Sequence, residues 1–503
     1  MAAFASFSGG AGTAGDPYII ATSADLKALA ASVDSGETFS GKHFKLTKNI
    51  DLGGSAANQW TPIGAFVSSV DNKPFAGTFD GGGFTISGLY VNAASEDAQG
   101  LFGFISGDAA EIRNLTVSGE ARGASAVGVV VGGNYGGTVT NCAASGTASG
   151  GGSDGGVGGI VGYNYVGTVT NCASSVNASG ASAGCVVGTN GGTVKNCTAN
   201  GDVSRSGTNT IVGGVVGYNY GGTVTNCAST CGTVSGSGTV SMVGGVVGGN
   251  YGGTVSCCTA GGNISGTAGT VGAVGGVVGY NYGGAVINCA STCGTVGGTG
   301  VFVGGVVGIN GDNGTVSNCG WWKDTTRGVS ADKHIGGDTG AVTDVASYDS
   351  TLAPKVAVTC LPETFILSGS GDSTLQFVTY PTSADASHIK SADLTVASTD
   401  IAAVSDTNAS GKITITPKKL GSTTLSAAIT FAPTWFKDEL ADTSADVTLD
   451  PQTVLNVTAL NPTPKPDPDP KPSGGSSSGC SVGFAALALL AVIPVFTRRK
   501  KQS

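Results

Sequence analysis

The sequence contains little charge. Charged residues make up 11% of the 503 residues, and only five lie between Ala124 and Gly320. Enzymes that cleave glycans on solenoid folds cluster acidic and basic side chains in one groove. These five are scattered along the chain: Asp154, Lys195, Asp202, Arg205 and Asp312. We assign the best remaining carboxylate pair, Asp51 and Asp80, to a terminal cap, so the scarcity of charge argues against an enzyme.

Basic clusters and histidines are also scarce. The net charge is −9, and the only basic run is Arg498 to Lys501 at the C-terminus, which argues against nucleic-acid binding. The three histidines, His43, His334 and His388, do not form a metal-ligand pattern. We therefore expect no metal, no other cofactor and no catalytic residue.

Glycine is abundant, with 87 residues, and it follows a repeat. The string from Gly213 to Cys227, GGVVGYNYGGTVTNC, recurs about seven times. We assign the end of each copy to Cys142, Cys172, Cys197, Cys227, Cys257, Cys289 and Cys319, spaced 30, 25, 30, 30, 32 and 30 residues apart. A divergent earlier copy starts near Gly100.

Each repeat contains short β-branched runs separated by Gly and Asn, and none has helical spacing. Such runs are stable only when successive coils stack and share ladder hydrogen bonds. Gly and Asn supply the positive φ that corners need. The sequence predicts an all-β fold whose main part is a three-sided parallel β-helix, or β-solenoid, with about 30 residues per coil.

The composition changes along the chain and predicts seven segments. Residues 17–34 read as a short strand followed by an N-capped helix, and residues 481–497 as an apolar helix before the basic run. The predicted segments are a residual signal-peptide end (1–5), an N-terminal cap with the first coils (6–123), the repeats (124–320), a C-terminal cap beginning at Trp321-Trp322 (321–354), a small β-sandwich (355–460), a Pro/Gly/Ser-rich linker (461–479) and a C-terminal anchor (480–503).

Two columns of residues are predicted to stack along the repeats. The cysteine column places one thiol in each coil, and we favour free inward thiols over disulfides because buried Cys behaves as a small hydrophobe. The asparagine column reads as a ladder of stacked amides that satisfies corner backbone groups. Its members are Asn141, Asn171, Asn196, Asn226, Asn288 and Asn318.

Tyrosines mark the corners next to a second asparagine. Those after it are Tyr135, Tyr165, Tyr220, Tyr251 and Tyr282, while Tyr163, Tyr218 and Tyr280 precede it. Two interpretations remain: turn residues that cover their neighbours, or an aromatic stripe that stacks on sugar rings or a protein partner. Threonine pairs such as Thr138 and Thr140 are predicted to point outward, but breaks in their pattern argue against ice binding.

The repeats resemble the GLUG motif over roughly residues 100 to 345. The motif's Gly-Gly-Leu-Val-Gly core reads Gly-Gly-Val-Val-Gly here, and the Asn-Cys step is kept. The resemblance implies a bacterial surface protein. Some proteins with this motif are IgA-cleaving metallopeptidases, but their His-Glu-x-x-His zinc motif is absent from this sequence, so that activity does not carry over.

Two further resemblances concern the C-terminal part. Residues 356–460 resemble a bacterial Ig-like group 2 domain, through the stretches starting at Ala397, Gly411 and Gly421. The end of the chain is similar to a Synergistes-type C-terminal sorting signal, with Ser478-Gly479-Cys480, an apolar helix and Arg498-Arg499-Lys500. That resemblance implies export and cleavage by a sorting protease near Gly479 and Cys480, with lipidation of Cys480 as an open alternative.

The leading expectation is a non-catalytic protein with an adhesive or envelope-structural role at the cell surface. It would be anchored in the membrane by its C-terminal helix, with a host or cell-surface glycan or protein as its partner. A glycan-active β-solenoid lyase or hydrolase and a self-assembling surface-layer component remain as alternatives.

Overall fold

The computed structural model describes residues 7–66, 72–152, 155–317, 319–323, 333–343 and 346–349, and only the strands of residues 355–458. The chain divides into two compact units, Met1–Ala353 and Pro354–Ser503. The first unit is a parallel β-solenoid of about ten turns, as the repeat predicts. Its strands form three sheets, one for each side of the coil.

The first side, called the threonine face below, is a 12-stranded parallel sheet in which each strand pairs with its equivalents in the adjacent coils. In the repeat strands the central valine is buried and its two neighbours are partly exposed, because side chains alternate across a strand. The strands are Tyr18–Ile20, His43–Leu46, Thr78–Asp80, Glu111–Arg113, Thr138–Thr140, Thr168–Thr170, Thr193–Lys195, Thr223–Thr225, Thr254–Ser256, Ala285–Ile287, Thr315–Ser317 and Ala341–Thr343.

The second side, called the tyrosine face below, is a nine-stranded parallel sheet. Its repeat strands read Val-Gly-x-Asn-x, and their first valine and the asparagine are buried. The strands are Phe102–Ser106, Val131–Tyr135, Val161–Asn164, Val187–Asn190, Val216–Tyr220, Val247–Tyr251, Val278–Tyr282, Val307–Gly311 and Ile335–Asp338.

The third side is a 20-stranded sheet in which most coils contribute more than one strand. Its strands are Ile50–Asp51, Thr85–Asn92, Thr116–Gly123, Val127–Gly128, Ala143–Gly150, Gly156–Gly158, Ala173–Ser179, Ser182–Gly184, Thr198–Ala199, Val203–Ser206, Asn209–Gly213, Ala228–Ser229, Thr233–Gly244, Thr259–Ala260, Asn263–Gly275, Ala290–Ser291, Thr295–Thr299, Phe302–Gly304, Gly320–Lys323 and Ala346–Asp349.

The N-terminal end of the solenoid is covered by the helix Ser23–Asp34. Thr22 caps it: its hydroxyl accepts from the Asp25 amide, and the Asp25 carboxylate accepts from the Thr22 amide, as a capping box requires. Leu26, Leu29 and Val33 are fully buried against the first coils. The predicted strand and N-capped helix are therefore confirmed.

The segment predicted as a C-terminal cap adds one more turn to the solenoid. Its strands Ile335–Asp338, Ala341–Thr343 and Ala346–Asp349 pair in parallel with the preceding coil on all three sides. Trp321 is buried in the core and donates through Nε1 to His334 Nδ1 at 2.9 Å. A Cβ at Gly305 would lie 2.0 Å from the Trp321 ring, so glycine at that position makes room for the indole.

The described residues of the second unit are all in strands. Lys355–Thr359 pairs antiparallel with Gln376–Tyr380. The other strands form a five-stranded sheet, with Thr364–Ile366, Ile389–Val396, Gly421–Phe431, Val447–Leu449 and Gln452–Thr458, and a three-stranded sheet, with Gly371–Thr374, Ala402–Val404 and Lys412–Pro417. Within the described residues no helix is long and apolar enough to cross a bilayer. The predicted anchor, including Gly479 and Cys480, lies outside those residues.

Candidate functional site

The tyrosine face is held in register by a buried ladder of asparagine amides. The Nδ2 of each of the first six asparagines donates to the Oδ1 of the equivalent asparagine in the next coil, at 2.7–2.9 Å. All seven Nδ2 atoms also donate to a glycine carbonyl of their own turn, at 2.9–3.1 Å. All seven side chains are fully buried: Asn134, Asn164, Asn190, Asn219, Asn250, Asn281 and Asn310.

This buried ladder was not predicted. The same template string contains both Asn219 and Asn226, and we predicted stacked amides only for the column of Asn226. The signal that would have found it is the position of Asn219 within an apolar strand, where an amide must be satisfied by its equivalents in adjacent coils.

The predicted asparagine column occupies corners on the side of the threonine face. Asn141, Asn171, Asn196, Asn226 and Asn288 all have positive φ, between 53° and 58°, which Asn tolerates better than other side chains. Two amide contacts link members to a neighbouring coil, Asn141 to Asn114 at 3.3 Å and Asn196 to Asn171 at 3.0 Å. Their main role is therefore backbone conformation. Asn318 lies outside the described residues.

The cysteine column requires one correction. Cys257 stands at a corner with a φ of 52°, in register with Asn226, because Ser256 pairs with Thr225. Cys258, not Cys257, occupies the cysteine column. The buried column is therefore Cys142, Cys172, Cys197, Cys227, Cys258, Cys289 and Cys319.

Each thiol of this column donates to the carbonyl two residues earlier, at 3.1–3.3 Å. Burial raises the pKa of Cys172, Cys197 and Cys227 well above the ordinary value, so these thiols stay protonated. They pack as small core residues, one in each coil.

The tyrosines lie in two adjacent columns on the outer surface of the tyrosine face. In the inner column, Tyr163, Tyr218 and Tyr280 stand in register with Gly133, Thr189 and Gly249. In the outer column Tyr220, Tyr251 and Tyr282 pair with one another, and Tyr135 and Tyr165 hold equivalent positions in earlier coils. We call these eight residues the tyrosine stripe.

Exposure along the stripe depends on the inner residue of each coil. Where it is tyrosine, the outer tyrosine points to solvent: Tyr165, Tyr220 and Tyr282 are 51%, 66% and 42% exposed. Where it is glycine, the outer tyrosine folds over that glycine: a Cβ at Gly133 would lie 3.6 Å from Tyr135, and one at Gly249 only 3.3 Å from Tyr251. Coil composition thus determines which rings are exposed to solvent.

The rings contact one another within two groups. Tyr135, Tyr163 and Tyr165 stack with centroid separations of 5.3–6.3 Å. The second group is Tyr218, Tyr220, Tyr251, Tyr280 and Tyr282, with separations of 5.1–6.2 Å. The coil between the groups carries Thr189 and Gly191 at the two positions, so it forms an aromatic-free notch.

Desolvation makes five of these phenols poorer acids. Burial raises the pKa of Tyr135, Tyr163, Tyr218, Tyr251 and Tyr280, and neighbouring phenols raise it further, as do Asp97 for Tyr135 and Asp312 for Tyr280. The hydroxyls therefore stay protonated at neutral pH and can both donate and accept hydrogen bonds.

At the N-terminal end of the tyrosine stripe, Phe66 and Phe104 extend the first group of rings. With Tyr135 and Tyr163 they line a cavity of about 170 Å³.

Charged side chains of the solenoid pair mainly near its N-terminal end. Arg113 contacts Asp80 at 3.1 Å and Glu111 at 2.8 Å, and the hydrogen bond from Asn114 helps to lower the pKa of Asp80 despite its burial. Asp51 Oδ1 instead accepts from its own turn, from the Gly53 amide. Within the part of the chain that the structure describes, no three His, Cys, Asp or Glu residues form a group that could hold a metal.

Comparison with known proteins supports the repeat assignment. Residues 123–149 match the family model of the GLUG motif. Part of the chain is 35% identical over 151 residues to halomucin of Haloquadratum walsbyi, and 37% identical over 141 residues to a Gly-rich membrane protein of Evansella cellulosilytica. These alignments cover 29% and 26% of this chain but only 2% and 15% of the relatives. No solved structure matches the chain.

Proposed function

We propose that this chain is a non-catalytic cell-surface protein that acts by adhesion, with the tyrosine stripe as its contact surface. The observation that carries the proposal is the row of solvent-facing rings at Tyr165, Tyr220 and Tyr282. Contiguous exposed apolar patches mark interaction sites, whereas singly scattered apolar residues do not. Here the exposed rings recur at one position of a rigid scaffold.

The ligand chemistry that best fits the stripe is a neutral or weakly charged glycan. A phenol ring offers an apolar face for the C–H surface of a sugar and a hydroxyl for its polar edge. The buried amide ladder fixes the strand spacing at about 4.8 Å, so the strands that carry the two tyrosine groups stand about 10 Å apart across the notch at Thr189. That width accommodates a sugar ring between aromatic neighbours.

The proposed location at the cell surface is supported by the names of the relatives, halomucin and a Gly-rich membrane protein. The Pro-rich segment 461–479 would serve as an extended spacer, and the second unit as an Ig-like stalk module. Residues 480–503 would then hold the chain in the membrane until a sorting protease cleaves it near Gly479 and Cys480.

Two experiments test this proposal. A glycan array probed with the full chain, with hydrolase and lyase assays on the same glycans, separates adhesion from the enzymatic alternative. We expect binding without product formation; turnover of a bound glycan would contradict it. Fractionation of cells that express the protein without residues 480–503 tests the anchor. The truncated protein should enter the medium. Its retention on the cell would contradict the anchor but not the adhesive surface.

A further inference from the structure

Two cysteines outside the cysteine column meet inside the solenoid. The Sγ atoms of Cys185 and Cys231 are 3.6 Å apart, which is van der Waals contact between sulfurs. Both residues are fully buried, although they are 46 positions apart in the sequence. Sequence spacing did not single out this pair, because they belong to different columns of the repeat.

The local sequence makes room for this contact. Cys185 takes a position that is glycine in adjacent coils: its amide donates to Gly214 O, and its carbonyl accepts from the Gly159 amide. At Gly214 a Cβ would lie 2.0 Å from Ser229 Oγ, but the residue in register with Ser229 in the preceding coil is Ala199. Ala199 lacks the hydroxyl that a side chain at position 185 would meet, so it leaves room for Cys185.

The second cysteine stands next to another glycine. Two residues beyond the Ala199–Ser229 pair, Gly201 and Cys231 occupy equivalent positions in adjacent coils. The Cys185 thiol lies 2.9 Å from Gly201 O, and glycine leaves the space that the two sulfurs share. Cys185 and Cys231 are therefore neighbours across a position that carries no side chain.

We propose that Cys185 and Cys231 form a disulfide when the chain folds in an oxidising compartment, and that it staples successive coils of the solenoid. Disulfides form and persist in oxidising, extracellular surroundings. The disulfide therefore rests on the proposed surface location only because that location supplies the oxidant. The oxidant is a disulfide, carried by a thiol oxidoreductase or by a small molecule. The two sulfurs are 3.6 Å apart, so they would have to approach by about 1.6 Å to reach the S–S bond length.

The reaction is two thiol–disulfide exchanges. The Cys231 thiol loses its proton, and its thiolate attacks one sulfur of the oxidant and expels a thiolate. The Cys185 thiolate then attacks the Cys231 sulfur of that mixed disulfide and expels the second thiolate. Two electrons and two protons pass to the oxidant, which becomes two thiols.

The test uses the full chain, refolded in a buffer of reduced and oxidised glutathione. Thiols are alkylated after denaturation, with and without prior reduction, and the intact mass gives the number hidden in disulfides. Peptic digestion at acid pH then identifies the linked peptides. We expect two more hidden thiols in the wild type than in Cys185→Ser or Cys231→Ser, and a peptide that joins Cys185 to Cys231.

Cys172→Ser is the matched control, since it removes a buried cysteine of the main column but should leave two thiols hidden. An equal number of hidden thiols in the wild type and in both single variants would overturn the proposal. So would a wild type in which all thiols are titratable. If a variant fails to refold, the peptic map of the wild type decides alone: absence of the Cys185–Cys231 peptide contradicts the disulfide.

Discussion

The phenol ring of Tyr251 lies over Gly249, two residues earlier on the same strand. A Cβ at Gly249 would come within 3.3 Å of Tyr251 Cε2, and the Tyr251 hydroxyl donates to Met242 Sδ at 3.7 Å. The equivalent ring Tyr282, whose coil carries Tyr280 in place of Gly249, is 42% exposed. One side chain in the inner column therefore determines whether the outer tyrosine is available.

The first prediction concerns this relationship. Gly249→Tyr should displace Tyr251 into solvent, because the new ring occupies the space that Tyr251 now fills. Nitration by tetranitromethane, with peptide mapping, should show Tyr251 modified several-fold faster than in the wild type. Gly297→Ala is the control, since its Cβ would meet no atom within 4 Å. Unchanged reactivity of Tyr251 in Gly249→Tyr would contradict the packing described here.

The sequence was sufficient to predict the solenoid, because the repeat period and its β-branched runs leave few other folds. It left two interpretations of the tyrosines, turn residues or an aromatic stripe, and did not predict their unequal exposure, which depends on whether Gly249 or Tyr280 stands beside them in three dimensions. It placed Cys257 one residue out of register, because the Asn-Cys step reads Cys257-Cys258 in that coil and either cysteine satisfies the pattern. Cys185 and Cys231 occupy different positions of the repeat, so the sequence pattern does not pair them, and only the three-dimensional structure shows that their sulfurs are in contact.

A second prediction tests the corrected register. Cys257→Asn should raise the free energy of unfolding by about 0.5–1 kcal/mol, because asparagine tolerates positive φ better than cysteine does. Cys258→Asn should lower the free energy of unfolding by about 2–4 kcal/mol, because it buries an amide in the thiol column without a hydrogen-bond partner. Urea unfolding of both variants measures the difference. The opposite ranking would restore Cys257 to the column.

A third prediction concerns the buried amide ladder. Asn219→Ala removes the donor to Asn250 Oδ1 at 2.7 Å and the acceptor for Asn190 Nδ2 at 2.8 Å. Unsatisfied buried groups remain on both sides, so the free energy of unfolding should fall by about 2–4 kcal/mol. Asn226→Gly, at a corner where positive φ suits glycine, should cost less than about 1 kcal/mol. Equal losses in the two variants would show that the ladder has no special role.

A fourth prediction concerns pH. Burial raises the pKa of Cys172, Cys197 and Cys227 in the folded chain, whereas in the unfolded chain thiols titrate near about 8.5. Above that pH the unfolded state releases protons that the folded state keeps. Stability is therefore highest below about pH 8.5 and falls by about 1.4 kcal/mol per pH unit for each buried thiol.

Urea unfolding under reducing conditions at pH 8 and pH 10 measures this slope. Cys197→Ala should lose stability at pH 8 but show a shallower decline to pH 10 than the wild type, because one titrating thiol is missing. Val194→Ala, a core truncation in the same coil, should keep the wild-type slope. A slope that is unchanged in Cys197→Ala would contradict the assignment of protonated, buried thiols.

The adhesive role of the tyrosine stripe is tested most directly by replacing its three exposed rings, Tyr165, Tyr220 and Tyr282, with alanine in one full-length variant. Thr168, Thr223 and Thr254 on the threonine face, changed together to alanine, form the matched control. On a glycan array the tyrosine variant should bind at least about tenfold more weakly than the wild type, and the control should bind like the wild type. Equal binding by the tyrosine variant, or no glycan binding by the wild-type chain, would contradict the account.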